Sequence, residues 1–123
     1  MFRRATLVAA TVLALVATSA GVAQAGGWDL ITDRSGNGAV TLRGWTRNYN
    51  QVAYVADHPG TRVSVYVSVS CRNGDSFDRN WTDGGNHFRF ILRGLANSRT
   101  CNHRFRVVAN QGGSPLDLAL YAR

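Results

Sequence analysis

The chain has 123 residues, its 14 basic residues are all arginine and its 7 acidic residues all aspartate, so its formal charge is +7. The absence of lysine excludes Schiff-base chemistry on that side chain and, with glutamate also missing, removes two good helix formers. A hydrophobic content of 45% against 17% charged residues excludes general disorder, and the length predicts one globular domain.

Residues 1–25 read as a signal peptide. Arg3 and Arg4 open it, Ala5 to Ala20 is an uncharged apolar run, and Ala23-Gln24-Ala25 has the small-x-small pattern of a cleavage site. Arg3-Arg4 also admits twin-arginine export, and an uncleaved anchor is the alternative to cleavage. Removal of 25 residues would leave residues 26–123, with 12 arginines against 7 aspartates and no second apolar run of membrane-spanning length. The expected product is a secreted, extracellular domain with no membrane association once the signal is cleaved.

From there on the periodicity is two. Val40 and Leu42, then Val63, Val65, Val67 and Val69, then Phe88, Phe90 and Leu92, then Phe105 and Val107, then Leu116, Leu118 and Leu120 each alternate with outward positions. Gly- and Asn-rich turns separate these runs, at Ser35-Gly36-Asn37-Gly38, His58-Pro59-Gly60, Arg72-Asn73-Gly74-Asp75, Asp83-Gly84-Gly85-Asn86 and Gln111-Gly112-Gly113-Ser114-Pro115. The pattern predicts strands over 28–33, 39–47, 51–56, 62–71, 76–81, 87–93, 101–109 and 116–122. The fold class is all-β: a single antiparallel β-sandwich of about eight strands.

Export to an oxidising compartment makes Cys71 and Cys101 a disulfide, because only one pairing exists. If strands 62–71 to 101–109 run alternately up and down, both cysteines fall at one end of the sheet. Both also share the inward phase of their neighbours, Cys71 with the valines and Cys101 with Phe105. Closing a loop of 30 residues stabilises by about 3.5 kcal/mol in the chain-entropy model. In outline the domain resembles an immunoglobulin-like sandwich, although Trp45 precedes both cysteines instead of standing between them.

No catalytic set is visible. His103 has an inward phase and reads as a hydrogen-bonded core imidazole, His87 has the outward phase, and His58 lies in an Asp-His-Pro-Gly turn. There is no Gly-x-Ser-x-Gly elbow, and paired carboxylates would have to be aspartates. Two histidines with Arg43 or Arg104 leave a small basic secreted nuclease as an alternative. In Asp75–Asn86, Asp78, Asn80 and Thr82 share one strand face and suit calcium, but Asp83 and Arg89 replace the glycine and glutamate an EF-hand requires. No metal and no cofactor is expected. Asn80-Trp81-Thr82 matches a glycosylation sequon.

The most suggestive surface is cationic and aromatic. Arg43, Trp45 and Arg47 share the outward phase of one strand. Arg89 and Arg93 do so on a second, and Arg104 and Arg106 on a third that is expected to pair with the second, so four guanidinium groups would share one sheet face. A high-GC genome would also produce an arginine-rich surface, but such clustering suits an anionic partner. The main expectation is a non-catalytic domain that docks on another secreted or cell-surface protein, as adaptor, inhibitor or assembly subunit. The alternative is a carbohydrate or cell-wall binding module, which predicts two or more coplanar exposed tryptophans among Trp28, Trp45 and Trp81, whereas protein docking predicts one buried anchor among arginines. With a mature charge of only +5 and no recognisable nucleic-acid motif, no nucleic-acid partner is expected.

Overall fold

A computed structural model describes residues 27–72, 74–94 and 100–123. The expected signal peptide, residues 1–25, lies outside the described residues. Eight strands follow in order: β1 (Asp29–Asn37), β2 (Ala39–Arg47), β3 (Gln51–Asp57), β4 (Val63–Cys71), β5 (Ser76–Asp83), β6 (His87–Arg93), β7 (Thr100–Ala109) and β8 (Pro115–Ala122). Ile31–Arg123 forms one compact unit. Among the described residues no helix is long and apolar enough to cross a membrane.

The strands form two four-stranded sheets, ordered β1-β8-β3-β6 and β2-β7-β4-β5. This is the all-β antiparallel sandwich that the alternation predicts. Each strand of the first half pairs with its mirror in the second: β1 with β8, β2 with β7, β3 with β6 and β4 with β5, alternating between sheets. A long hairpin rolled up in this way is a jelly roll, one of the routes by which antiparallel folds limit their edges. The likeness to an immunoglobulin domain therefore ends at two packed antiparallel sheets.

Alternation builds the core. Val52, Tyr54, Leu116, Leu118 and Leu120 face Val63, Val65, Val67, Phe105 and Val107, all of them nearly or wholly buried. Each such side chain is worth about 1.5–3 kcal/mol of transfer free energy, which is why period two decides which face points inward. Gly44 faces the same interior, close against Leu120 and Thr32. A Cβ there would lie 2.9 Å from Leu120 Cδ2 and 3.1 Å from Thr32 Cγ2, so the layers meet over a missing side chain.

Two expectations need correction. Ser35-Gly36-Asn37-Gly38 is not a four-residue turn, because β1 runs on to Asn37 and Gly38 alone makes the corner. Its φ of 78° is open to glycine, and its amide and carbonyl are held by Ser114 O (2.8 Å) and Ala109 N (2.8 Å). Strands 62–71, 76–81, 87–93 and 101–109 are also not an up-and-down series, because β6 pairs with β3 in one sheet while β7 lies between β2 and β4 in the other. Cys71 and Cys101 are direct partners in the β4–β7 ladder, joined at an S–S distance of 2.01 Å. The disulfide thus fastens neighbouring strands of one sheet.

Candidate functional site

Reading the ladders across β2, β7, β4 and β5 gives the outward face of the second sheet row by row. One row is Trp45, Asn102, Ser70 and Ser76; the next is Arg43, Arg104, Ser68 and Asp78; the third is Thr41, Arg106, Tyr66 and Asn80. Arg47 extends the face opposite Thr100. Four arginines on this face stand against a single aspartate, Asp78.

Arg43 and Arg104 are directly opposite each other, and Arg106 is two residues along the same strand face. Like charges so placed destabilise a sheet. Among the described residues no carboxylate lies within ion-pair distance of Arg43, Arg104 or Arg106. Arg79, at the sheet edge, instead lies over the Trp81 ring at 5.2 Å. Tyr66, Ser68, Asp78, Asn80, Arg104 and Arg106 border a cleft of about 330 Å³.

Two large aromatic side chains are exposed on this face, Trp45 at 64% and Tyr66 at 43%. They fall on a diagonal of the lattice, with Arg104 at its midpoint, Arg43 and Arg106 along one side of it and Asn102 and Ser68 along the other. Strand spacing and rise per residue put the ends of this diagonal roughly 17 Å apart. Tyr66 is a member that the sequence reading passed over, although it alternates with the inward Val65 and Val67 and stands between Ser64 and Ser68.

The expected face of four arginines does not form. Arg89 and Arg93 belong to β6, where they oppose Val55 and Gln51 of β3, in the other sheet from Arg104 and Arg106. Period two reports which way a side chain points but not which strand lies beside it. Arg43, Trp45, Arg47, Arg104 and Arg106 do share a sheet. Trp81 is turned inward against Phe88 and Phe90, at ring-centroid distances of 5.3 and 4.7 Å, and Trp28 is half-buried. The described residues therefore hold no pair of exposed tryptophans, and Trp45 is outward as its phase predicts. Asp78, Asn80 and Thr82 do share the outward face of β5, in register with Ser68, Tyr66 and Ser64.

The histidines are dispersed. His103 is buried between the sheets, with Nδ1 2.7 Å from the Tyr54 hydroxyl and Nε2 2.7 Å from the Thr46 hydroxyl. Burial pushes its pKa down to about 4, so it is a neutral ring at pH 7. His58 is fully buried, its Nδ1 donating to Thr61 O (2.9 Å) and its Nε2 hydrogen-bonded to Asp83 Oδ2 (2.6 Å). His87 is exposed and pairs with Asp57 at 2.6 Å. None of them stands beside Arg43 or Arg104 on the outward face.

A second feature, absent from the sequence reading, lies on the other sheet. Asp57 and Asp117 are direct partners in the β3–β8 ladder, and Ser35 donates to Asp117 at 2.8 Å. These residues border a cleft of about 520 Å³ with Pro59 and Pro115. Burial raises the Asp117 pKa first, the Ser35 hydrogen bond opposes this, and nearby Asp57 and Asp33 add to the rise.

No family model and no curated protein matches this sequence. Among solved structures, the fold is similar to TmCBM61, a carbohydrate-binding module solved with β-1,4-galactotriose, at a TM-score of 0.47 and 12% identity over 78% of this chain and 68% of that one. It is also similar to the enzymatically active domain of tailspike protein 4 of bacteriophage CBA120, at a TM-score of 0.43 and 9% identity, covering 82% of this chain and 20% of that one.

Proposed function

We propose that this domain is a non-catalytic carbohydrate-binding module acting outside the cell, and that it binds glycan on the outward face of β2-β7-β4-β5. The observation that carries the reading is the diagonal Trp45–Arg104–Tyr66, an aromatic ring at each end of a line of polar side chains. Pyranose rings have an apolar face that stacks on aromatic rings and hydroxyls that bond amides, hydroxyls and guanidinium groups. Asn80, Asn102 and Ser68 supply such groups beside the aromatics. The Cys71–Cys101 bond supports an oxidising compartment.

Docking on another protein has less support. That reading drew on a continuous arginine surface, whereas Arg89 and Arg93 lie in the other sheet from Arg104 and Arg106. The test is retardation of the purified protein in native gels containing polysaccharides, backed by calorimetry. The wild type should be retarded by at least one polysaccharide, and Trp45→Ala and Tyr66→Ala should each weaken binding about ten-fold, the loss of one stacked ring at ~1.4 kcal/mol. Both variants should keep the wild-type thermal midpoint, since both side chains are exposed. Failure to bind any polysaccharide of the panel would reject the reading, and unchanged binding by both variants would reject this face.

A further inference from the structure

We infer that the glycan bound by this face is acidic, a chain bearing carboxylates on its sugar rings, and that Arg43, Arg104 and Arg106 hold those carboxylates. The inference rests on the carbohydrate-binding reading and adds the chemical class of the ligand.

Like charges set side by side on one sheet face carry a cost. Arg43 and Arg104 face each other across the β2–β7 ladder, and Arg106 follows Arg104 on the same side of the strand. Positions directly opposite lie about 4.5–5.5 Å apart at Cα, and next neighbours on one strand face about 6.8 Å. Three permanent positive charges are therefore concentrated on two neighbouring strands, β2 and β7, with no carboxylate of the described residues in ion-pair reach. Asp78, the aspartate on this face, is two strands away from Arg104 in the same row. The repulsion is relieved when an anion sits among the three guanidinium groups.

The shape of the patch selects the kind of anion. Guanidinium presents paired N–H donors that match a carboxylate in a bidentate fork. The flanking Trp45 and Tyr66 add stacking surfaces in line with the arginines, which a lone small anion would leave unused. An extended chain crossing the sheet along this diagonal meets ring, charge and ring in succession. A uronate chain, with a carboxylate on each sugar and an apolar face on each ring, uses all five side chains.

Polygalacturonate is the probe, because methyl esterification removes its charge and leaves its backbone intact. Calorimetry or native-gel retardation of the purified protein should show polygalacturonate bound at least ten-fold more tightly than its methyl ester. Arg104→Gln and Arg106→Gln should each weaken polygalacturonate binding about ten-fold and should weaken binding to the methyl ester by a clearly smaller factor. Binding should also weaken between 50 mM and 500 mM salt. The thermal midpoint of Arg104→Gln should stay level or rise, because the substitution removes the repulsion with Arg43.

Equal binding of the acid and the ester, unaffected by Arg104→Gln, would overturn the acidic ligand and leave the carbohydrate module standing. Absence of binding to either polymer, together with binding of a neutral galactan, would do the same. Failure to bind any polysaccharide would take both readings down together. Duplex DNA or dextran sulfate bound as tightly as polygalacturonate, with no loss in Trp45→Ala, would overturn the inference by showing a general polyanion surface.

Discussion

Tyr54, His103 and Thr46 form a hydrogen-bonded row through the interior, and it joins the sheets, since Tyr54 stands on β3 and the other two on β7 and β2. A neutral imidazole offers one donor and one acceptor, and each hydroxyl can serve as either, so all three groups are satisfied without charge. Tyr54→Phe leaves a buried ring nitrogen unpaired and should cost about 1–3 kcal/mol, read from urea midpoints. The same burial makes stability depend on pH. The His103 pKa falls from 6.5 to about 4 on folding, so between those values the unfolded chain takes up a proton that the folded chain refuses. Stability should therefore be highest above pH 6.5 and decline as pH drops toward 4, by roughly 3 kcal/mol from this group. His103→Gln should flatten the decline over that window, and parallel curves for the two proteins would exclude His103 as its source. The inward phase of His103 is legible from Cys101 and Phe105. The burial of His58 is not, because its partner Asp83 lies 25 residues away and both sit next to turns with no period to read.

At the scale of the strand, alternation locates nearly every element, with β1 as the exception. Gly36 and Gly38 look alike in sequence but do different work. A Cβ at Gly36 would lie 2.9 Å from Val40 Cγ2 within extended chain, whereas Gly38 supplies the left-handed bend. Gly44 has a similar packing role. Gly44→Val should cost about 2–3 kcal/mol in chemical denaturation, because the side chain would enter space held by Leu120 and Thr32. Strand partners are less legible than strands. Two inward cysteines can bond across the layers or, within one sheet, only on neighbouring strands, and the structure shows the second case, with β4 beside β7 and β6 in the other sheet. Replacing Cys71 and Cys101 together by alanine should lower stability by about 3.5 kcal/mol, a fall of some 15–25 °C in thermal midpoint for a domain of this size.

For the molecule as a whole, rolling one long hairpin brings distant segments together, since Arg43 meets Arg104 across the β2–β7 ladder and Asp57 meets Asp117 across β3–β8. Contacts this far apart in sequence slow folding, because loops must close before pairing repays them. Refolding with the disulfide intact should take milliseconds to seconds in stopped-flow fluorescence, and microsecond refolding would contradict the nested topology. The roll also explains what the sequence could reveal about the site. Outward phase identified Arg43, Trp45, Arg47, Arg104 and Arg106 individually. Their grouping, the entry of Tyr66 and the departure of Arg89 and Arg93 depend on strand order, which no single run of residues encodes. The Cys71–Cys101 bond acquires a second meaning in this light. It rivets the strand bearing Tyr66 to the strand bearing Arg104 and Arg106, and a slip of one position between them would hide the tyrosine and bring Val67 into daylight. The clasp guards which surface the protein shows to its surroundings, as well as how long it survives there.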